Sequence, residues 1–235
     1  MEVKCNRFVV FLDIMGFKER VARSNADDLY DELTTFNKDI TRIIWAASNS
    51  EAEHIAMQEG DSEPVLLSND GVENAILLAQ FSDSIVLFSS DDTPNSLKSI
   101  SQVASDIMMS AIHREKPIPL KGALAKGHIT CDMSKQLFFG QALIDAYLLE
   151  ENVQYYGIVV HHTAEAAVKE LGDSLFRDAK IPLKSGLIEH YDIKWWGDRV
   201  AEVKEGLDRI RLTVSDSPRK YVDNTKSMLE SKFDS

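Results

Sequence analysis

The chain has 235 residues, of which 44% are hydrophobic and 27% charged, enough apolar material to close one sizeable core and short of the length at which cores usually split. Its 38 acidic and 26 basic residues leave a net charge of -12, which disfavours sequence-independent nucleic-acid binding, because that runs on a positive surface that releases counterions. No apolar run approaches the ~20 residues of a membrane-spanning helix, and the mixed-charge N-terminus carries no secretory signal, so the expectation is a cytoplasmic protein with no membrane contact. Cys5 and Cys131, the only cysteines, stand at no metal-ligand spacing and read as reduced, structural thiols.

Residues 7–13, Arg-Phe-Val-Val-Phe-Leu-Asp, predict a buried strand ending on a carboxylate. Over 26–47, Leu29, Leu33, Phe36, Ile40, Ile43 and Ile44 recur at helical spacing, with Asp27 and Asp28 in the first turn where the helix dipole favours them. The polar stretch 49–72 reads as a loop-rich insertion. Two strand-like runs, 74–81 and 84–90, flank Ser82-Asp83 and predict a hairpin with Asp83 at its tip. Asp91-Asp-Thr-Pro-Asn caps a helix over 94–114, ended by Pro117 and Pro119. A strand at 120–129, a helix from Gly140 to Glu150, a strand at 155–161 and a helix at 163–171 follow. The last third is less regular: 186–195 reads as one more strand, and Ser217-Pro218 opens a terminal helix through about Phe233. This order predicts an α+β fold with a mixed, antiparallel-containing sheet rather than a doubly wound one.

Asp13 and Asp83 carry the chemistry. In a sheet where the hairpin lies beside the first strand, the two carboxylates converge, and hard oxygen ligands of this kind suit Mg²⁺ or Mn²⁺ in a two-ion site for phosphoryl transfer. Two solvated turn acids are the alternative on spacing alone. A haloacid-dehalogenase-like nucleophile is disfavoured by Met15, which stands where a second acid is needed, and no Walker A run exists. The acidic net charge does not exclude a nucleoside triphosphate, since a bound divalent cation reverses the local field.

Phe11-Leu-Asp-Ile-Met-Gly-Phe17, Phe81-Ser-Asp-Ser84, Lys121-Gly-Ala-Leu-Ala-Lys-Gly127 and Phe139-Gly140 resemble, in this order, the ordered motifs of the class III nucleotidyl cyclases. The resemblance implies a ferredoxin-like, palm-type core over about 7–170 with a C-terminal extension over about 171–235, together one cyclase domain spanning 1–235. It implies two metal ions held by Asp13, Asp83 and the carbonyl of Ile14, main-chain N–H groups at Gly16 and Phe17 facing the phosphates, and a homodimer with sites between protomers. The departures are informative. Ala79 and Leu137 stand where adenylate cyclases carry adenine-reading groups, and Ile144 and Leu148 where the family has an asparagine and an arginine. Lys121 and Lys126 are candidates to reach the triphosphate, Arg42 to replace the lost arginine, and Gln80 and Trp45 to contact a pyrimidine; for each, a solvated or packing role is the alternative.

Gly140 to Glu150, Lys121-Gly-Ala and Lys220-Tyr-Val-Asp-Asn-Thr225 are similar to the pyrimidine cyclases of Pycsar antiphage systems. That resemblance implies conversion of UTP to cyclic UMP, with CTP as the alternative substrate, and a separate effector that responds to the product. A degenerate, nucleotide-binding domain without turnover is the competing expectation.

Overall fold

The computed structural model describes residues 3–48 and 76–230. Strand β1 (Lys4–Ile14) forms where aromatic and β-branched residues are concentrated, and Arg7 through Leu12 are buried because both faces of the strand are covered. Alternation sorts the side chains. Phe8, Val10, Leu12 and Ile14 enter the main core, whereas Val9 and Phe11 enter a second one on the opposite face. Asp13 continues the Val9 and Phe11 row, so its carboxylate emerges on that second face.

Gly16 takes a left-handed φ of 73°, a conformation glycine adopts without steric cost, and turns the chain into α1 (Phe17–Arg23) and then α2 (Ala26–Ser48). The sequence reading omits α1 because no residue of this short helix is buried, so it leaves no apolar period. Helix α2 buries Phe36 and Ile40 in the main core. Strands β2 (Leu77–Phe81) and β3 (Ser84–Phe88) form the expected hairpin, closed by the pair Phe81 and Ser84. The insertion read at 49–72, and the first residues of the strand read from Asn74, lie outside the described residues.

Helix α3 (Pro94–His113) starts as its sequence dictates: the Thr93 hydroxyl accepts from the Ser96 amide, and Pro94 occupies the first turn, where its missing N–H costs nothing. Strand β4 (Leu120–Asp132) runs antiparallel to β1 along its whole length, from Lys4 opposite Thr130 to Ile14 opposite Leu120. A 3₁₀ turn leads to β5 (Leu137–Phe139), then α4 (Gln141–Glu150), β6 (Ile158–Val160) and α5 (His162–Leu171). The strand predicted over 155–161 is thus only three residues long.

Two elements after residue 171 escape the sequence reading. Strand β7 (Phe176–Leu183) carries Arg177, Asp178, Lys180 and Pro182, which mask its alternation, and it pairs with β8 (Gly186–Ile193). Helix α6 (Val200–Thr213) buries Val203, Leu207 and Ile210 at helical spacing. Gly206 there looks like an interruption but marks close approach: a Cβ on it would sit 2.6 Å from the carbonyl oxygen of Ile112 in α3. Helix α7 (Ser217–Glu230) matches the predicted start.

The eight strands form one sheet in the order β2-β3-β1-β4-β6-β8-β7, with β5 on β4, antiparallel except between β4 and β6. The α+β expectation, with a mixed sheet flanked by helices, is therefore met. Helices α2, α3, α5, α6 and α7 contribute to the main core on one face, whereas α4 buries Ala142 and Ala146 on the face that bears Asp13. Helix α7 is sewn on by polar contacts from one side: Tyr156 N donates to Thr225 Oγ1 at 2.8 Å, Asn224 Nδ2 to the Gln154 carbonyl at 2.6 Å, and Gln154 Nε2 to Tyr221 Oη at 2.9 Å. No described helix is long and apolar enough to cross a membrane.

Candidate functional site

The β1 amide of Ile14 donates to the main-chain oxygen of Asp83 at 2.9 Å, which locks the hairpin tip against the end of β1. Asp13 faces Ser84 on β3 in the pairing register and Lys121 on β4 on its other side, and paired residues share a face of the sheet. Ser82 at the tip holds a left-handed φ of 55°, an uncommon conformation for a residue with a side chain, and this turn sets where Asp83 projects. Burial pushes the Asp13 carboxyl up, and the charge of Asp83 pushes it further, with Lys121 opposing both. The two acids are close enough to repel.

Two acids brought to one edge of the sheet, Asp13 at the end of β1 and Asp83 on the turn locked to it, fit a divalent cation. Among the described residues no group of three or more His, Cys, Asp or Glu side chains is placed to hold a metal ion, so a cation here would rest on two carboxylates with main-chain oxygen. Mg²⁺ in phosphate-handling sites is commonly held by one or two carboxylates plus substrate oxygens, and Asp13, Asp83 and the Ile14 carbonyl are the residues that would hold it.

Lys121 does not point to open solvent. Its ammonium lies 2.9 Å from Glu150 Oε1 and donates to the Glu150 carbonyl at 3.0 Å, with both side chains almost fully buried. It thereby caps the C-terminal end of α4, where the helix dipole favours a cation. Burial raises the Glu150 carboxyl to about 7 against the pull of Lys121, with the Asp13 charge adding to the rise. Tyr147, one turn earlier on α4, sets its ring edge-on to Phe11 with centroids 5.5 Å apart, and its hydroxyl donates to Glu151 Oε1 at 3.2 Å. Neither Glu150 nor Tyr147 stands out in the sequence. The available signal for Glu150 is an acid in the last turn of a helix, where the dipole disfavours it.

Of the other candidates, Gly16 and Phe17 open α1 directly after Asp13, and the first N–H groups of a helix have no intrahelical acceptor. Three are not brought to this cluster. Lys126 pairs with Asp92 at 3.1 Å and lies over the Phe8 ring, on the main-core face and five residues along β4 from Lys121, ~17 Å at strand rise. Gln80 pairs with Ile85, a main-core residue, and so shares the wrong face. Arg42 is exposed beside Asp39 on α2, which packs on the main-core side of the sheet. The odd spacing from Lys121 to Lys126, and from Ala79 to Gln80, already separates faces in a period-2 strand.

Ala79 shares the Asp13 face through its pair Val86, whereas Leu137 pairs with Asp132 at the far end of β4. Eleven residues separate Asp132 from Lys121, ~36 Å of strand, so Leu137 and Asp13 of one chain do not line the same cavity. Leu143, Ala146 and Leu149 of α4 are packed within the chain. The outward stripe is Ile144, Tyr147 and Leu148. Trp195 and Trp196 are core residues in edge contact, and Phe138 stacks on Phe88. His161 caps α5 beside His162.

No protein-family model matches the sequence, and no curated protein matches it. Solved structures do match the fold. The catalytic core of a rhodopsin-guanylyl cyclase with converted specificity, in complex with ATPαS, aligns with a TM-score of 0.58 at 14% identity, covering 81% of this chain and 97% of that one. An adenylate/guanylate cyclase/hydrolase from Silicibacter pomeroyi aligns with a TM-score of 0.51 at 16% identity, covering 81% and 96%. The fold is that of class III nucleotide cyclase catalytic cores.

Proposed function

We propose that this chain is a metal-dependent pyrimidine nucleotide cyclase that converts UTP to 3′,5′-cyclic UMP and pyrophosphate, and that the product is a second messenger in bacterial antiphage defence, read by a separate effector. The carrying observation is the Asp13 and Asp83 pair, held side by side at strand ends in a sheet of nucleotide cyclase architecture. The sequence resemblance to pyrimidine cyclases supports the finer reading.

Two divalent cations, Mn²⁺ or Mg²⁺, would supply positive charge at the ribose 3′-oxygen and along the triphosphate. Asp13 at the end of β1 and Asp83 on the turn hydrogen-bonded to it are fixed by the sheet and so need little reorganisation as charge develops. N–H groups at Gly16 and Phe17 face the phosphates. The 3′-oxygen forms a bond to the α-phosphorus, the bond from that phosphorus to the β-bridging oxygen breaks, and pyrophosphate leaves; the hydroxyl proton passes to solvent. No covalent enzyme intermediate is needed. Cytidylate cyclase activity is the alternative within this reading. A binding domain without turnover is favoured by Ile144 and Leu148, which leave α4 without a basic residue, and opposed by retention of two acids whose repulsion nothing in a mere binder requires.

Base selectivity follows from Ala79, an apolar residue on the Asp13 face. A purine set against Ala79 leaves ring donors and acceptors unpaired, at ~1–3 kcal/mol each. UTP or CTP should exceed ATP and GTP by at least about tenfold in kcat/KM, ~1.4 kcal/mol. Competition among the four triphosphates, with cyclic products resolved by chromatography, tests this; mainly cyclic AMP or cyclic GMP would sink the pyrimidine reading.

The assembly proposed is a homodimer with sites between protomers. Ile144, Tyr147 and Leu148 form an exposed apolar stripe at i, i+3 and i+4 on α4, and Phe81 is exposed at the hairpin beside Asp83. Such a stripe suits a two-fold, self-complementary contact. Leu148→Asp should sediment as a monomer and lose activity by more than about tenfold, with its melting temperature little changed because the side chain is half exposed. A monomeric variant with full activity would contradict composite sites.

A further inference from the structure

The Lys121 and Glu150 pair belongs to no part of the mechanism above, yet it stands against Asp13. Lys121 is the direct cross-strand neighbour of Asp13, with Cβ atoms of such pairs about 5 Å apart, and a lysine stem easily spans that gap. No ion pair joins the two; the ammonium turns instead to the Glu150 carboxylate at 2.9 Å and the Glu150 carbonyl at 3.0 Å. An acid buried in the last turn of a helix opposes the dipole and is desolvated, so its presence calls for a reason beyond helix stability.

We propose that Glu150 is a positioning residue for the candidate cation site: by holding the Lys121 ammonium at the end of α4 it keeps that ammonium off Asp13 and leaves the Asp13 and Asp83 carboxylates open to a divalent cation. This rests on the cyclase reading of those two aspartates. Without Glu150, Lys121 swings to Asp13, neutralises it and competes with the metal. Tyr147 contributes a neutral hydroxyl pointed at Glu151 and no competing positive charge. The tether therefore acts on cation affinity, not on substrate chemistry.

The test is Mn²⁺ binding to the whole chain without nucleotide, titrated by electron paramagnetic resonance of free Mn²⁺, with Asp13→Asn as the control that removes the site. Glu150→Gln should weaken Mn²⁺ binding by about tenfold or more, the scale on which a neighbouring charge shifts a carboxylate. The double variant Lys121→Met/Glu150→Gln, which removes the competing ammonium as well, should return to near wild-type affinity. That rescue is what a merely structural role would not give, and the double variant also leaves no unpaired buried charge to unfold the protein. Wild-type affinity in Glu150→Gln, or a double variant as weak as the single one, overturns the inference while leaving the cyclase reading intact. Absence of any Mn²⁺ site that depends on Asp13 in the wild type overturns the inference, and overturns the cyclase reading as well if it persists when a non-hydrolysable nucleoside triphosphate analogue is added.

Discussion

Asp13→Asn should reduce cyclisation by at least about a hundredfold, the scale of removing one preorganised electrostatic group, while raising the melting temperature of the metal-free protein. The two effects have one cause. Burial and the Asp83 charge both push the Asp13 carboxyl up, so its ionised form is disfavoured in the folded state relative to the unfolded chain. A group whose folded pKa is raised in this way contributes most stability when protonated, and the contribution falls as pH rises from the unfolded value through the folded one. Asparagine keeps the shape, removes the charge and removes that decline. Thermal melts at several pH values should show wild type and variant converging in acid and separating toward neutrality. Added Mn²⁺ should reverse the order, stabilising wild type by mass action and leaving the variant unmoved. A variant with wild-type turnover would remove the metal assignment, and a variant less stable at neutral pH would show that Asp13 is not held against a second charge. Asp83→Asn should match it in activity.

The second large effect lies far from the chemistry in sequence. Arg177 on β7 donates from Nε to Asp192 Oδ1 at 2.7 Å and from Nη2 to Oδ2 at 3.0 Å, while Nη1 reaches the Met228 carbonyl of α7 at 2.8 Å. Asp192 is fully buried and also accepts from the Tyr155 hydroxyl at 3.3 Å; the guanidinium lies over the Trp196 ring, 4.5 Å from its centroid. Asp192→Ala strands a buried guanidinium and should cost ~3–5 kcal/mol, on the order of 10 °C at this chain length. Arg177→Met/Asp192→Leu removes both charges and should recover part of the loss, because the groups that then lose a partner, the Tyr155 hydroxyl among them, are neutral. Differential scanning calorimetry distinguishes these outcomes, and a single variant that melts within a degree or two of wild type would contradict the clamp. The clamp reaches function through α7, whose Tyr221, Asn224 and Thr225 hold the segment 154–156 that leads to Gly157, hydrogen-bonded to Gly122 beside Lys121.

The sequence makes β1, the hairpin and α3 legible because each combines a clear period with its own punctuation: a carboxylate end, a polar pair, a Thr-Pro cap. Asp13 and Asp83 are legible for the same reason, since strand ends and hairpin tips are fixed by local pattern. What fails depends on tertiary placement. Period-2 parity places Lys126 and Gln80 on the face opposite Asp13, but only once the strands' pairing and faces are known. Arg42 sits on a helix whose position across the sheet no local pattern states. The buried charges Arg177 and Lys121 carry no local sign of burial, because their partners Asp192 and Glu150 lie 15 and 29 residues away. Which face of α4 points outward is not legible locally either, because Leu143 and Leu149 are as apolar as Ile144 and Leu148, and only packing distinguishes them.

A direct product assay tests whether the Asp13 and Asp83 pair turns a nucleoside triphosphate into a cyclic monophosphate. Wild type, Asp13→Asn and Asp83→Asn should be incubated in parallel with Mn²⁺ and each of the four ribonucleoside triphosphates, and cyclic nucleotide and pyrophosphate measured together. Wild type should give cyclic UMP or cyclic CMP with one pyrophosphate per cyclic product, and the variants neither product above background. Wild-type protein that binds Mn²⁺ and remains folded, yet releases no cyclic nucleotide from any of the four, would rule out a cyclase.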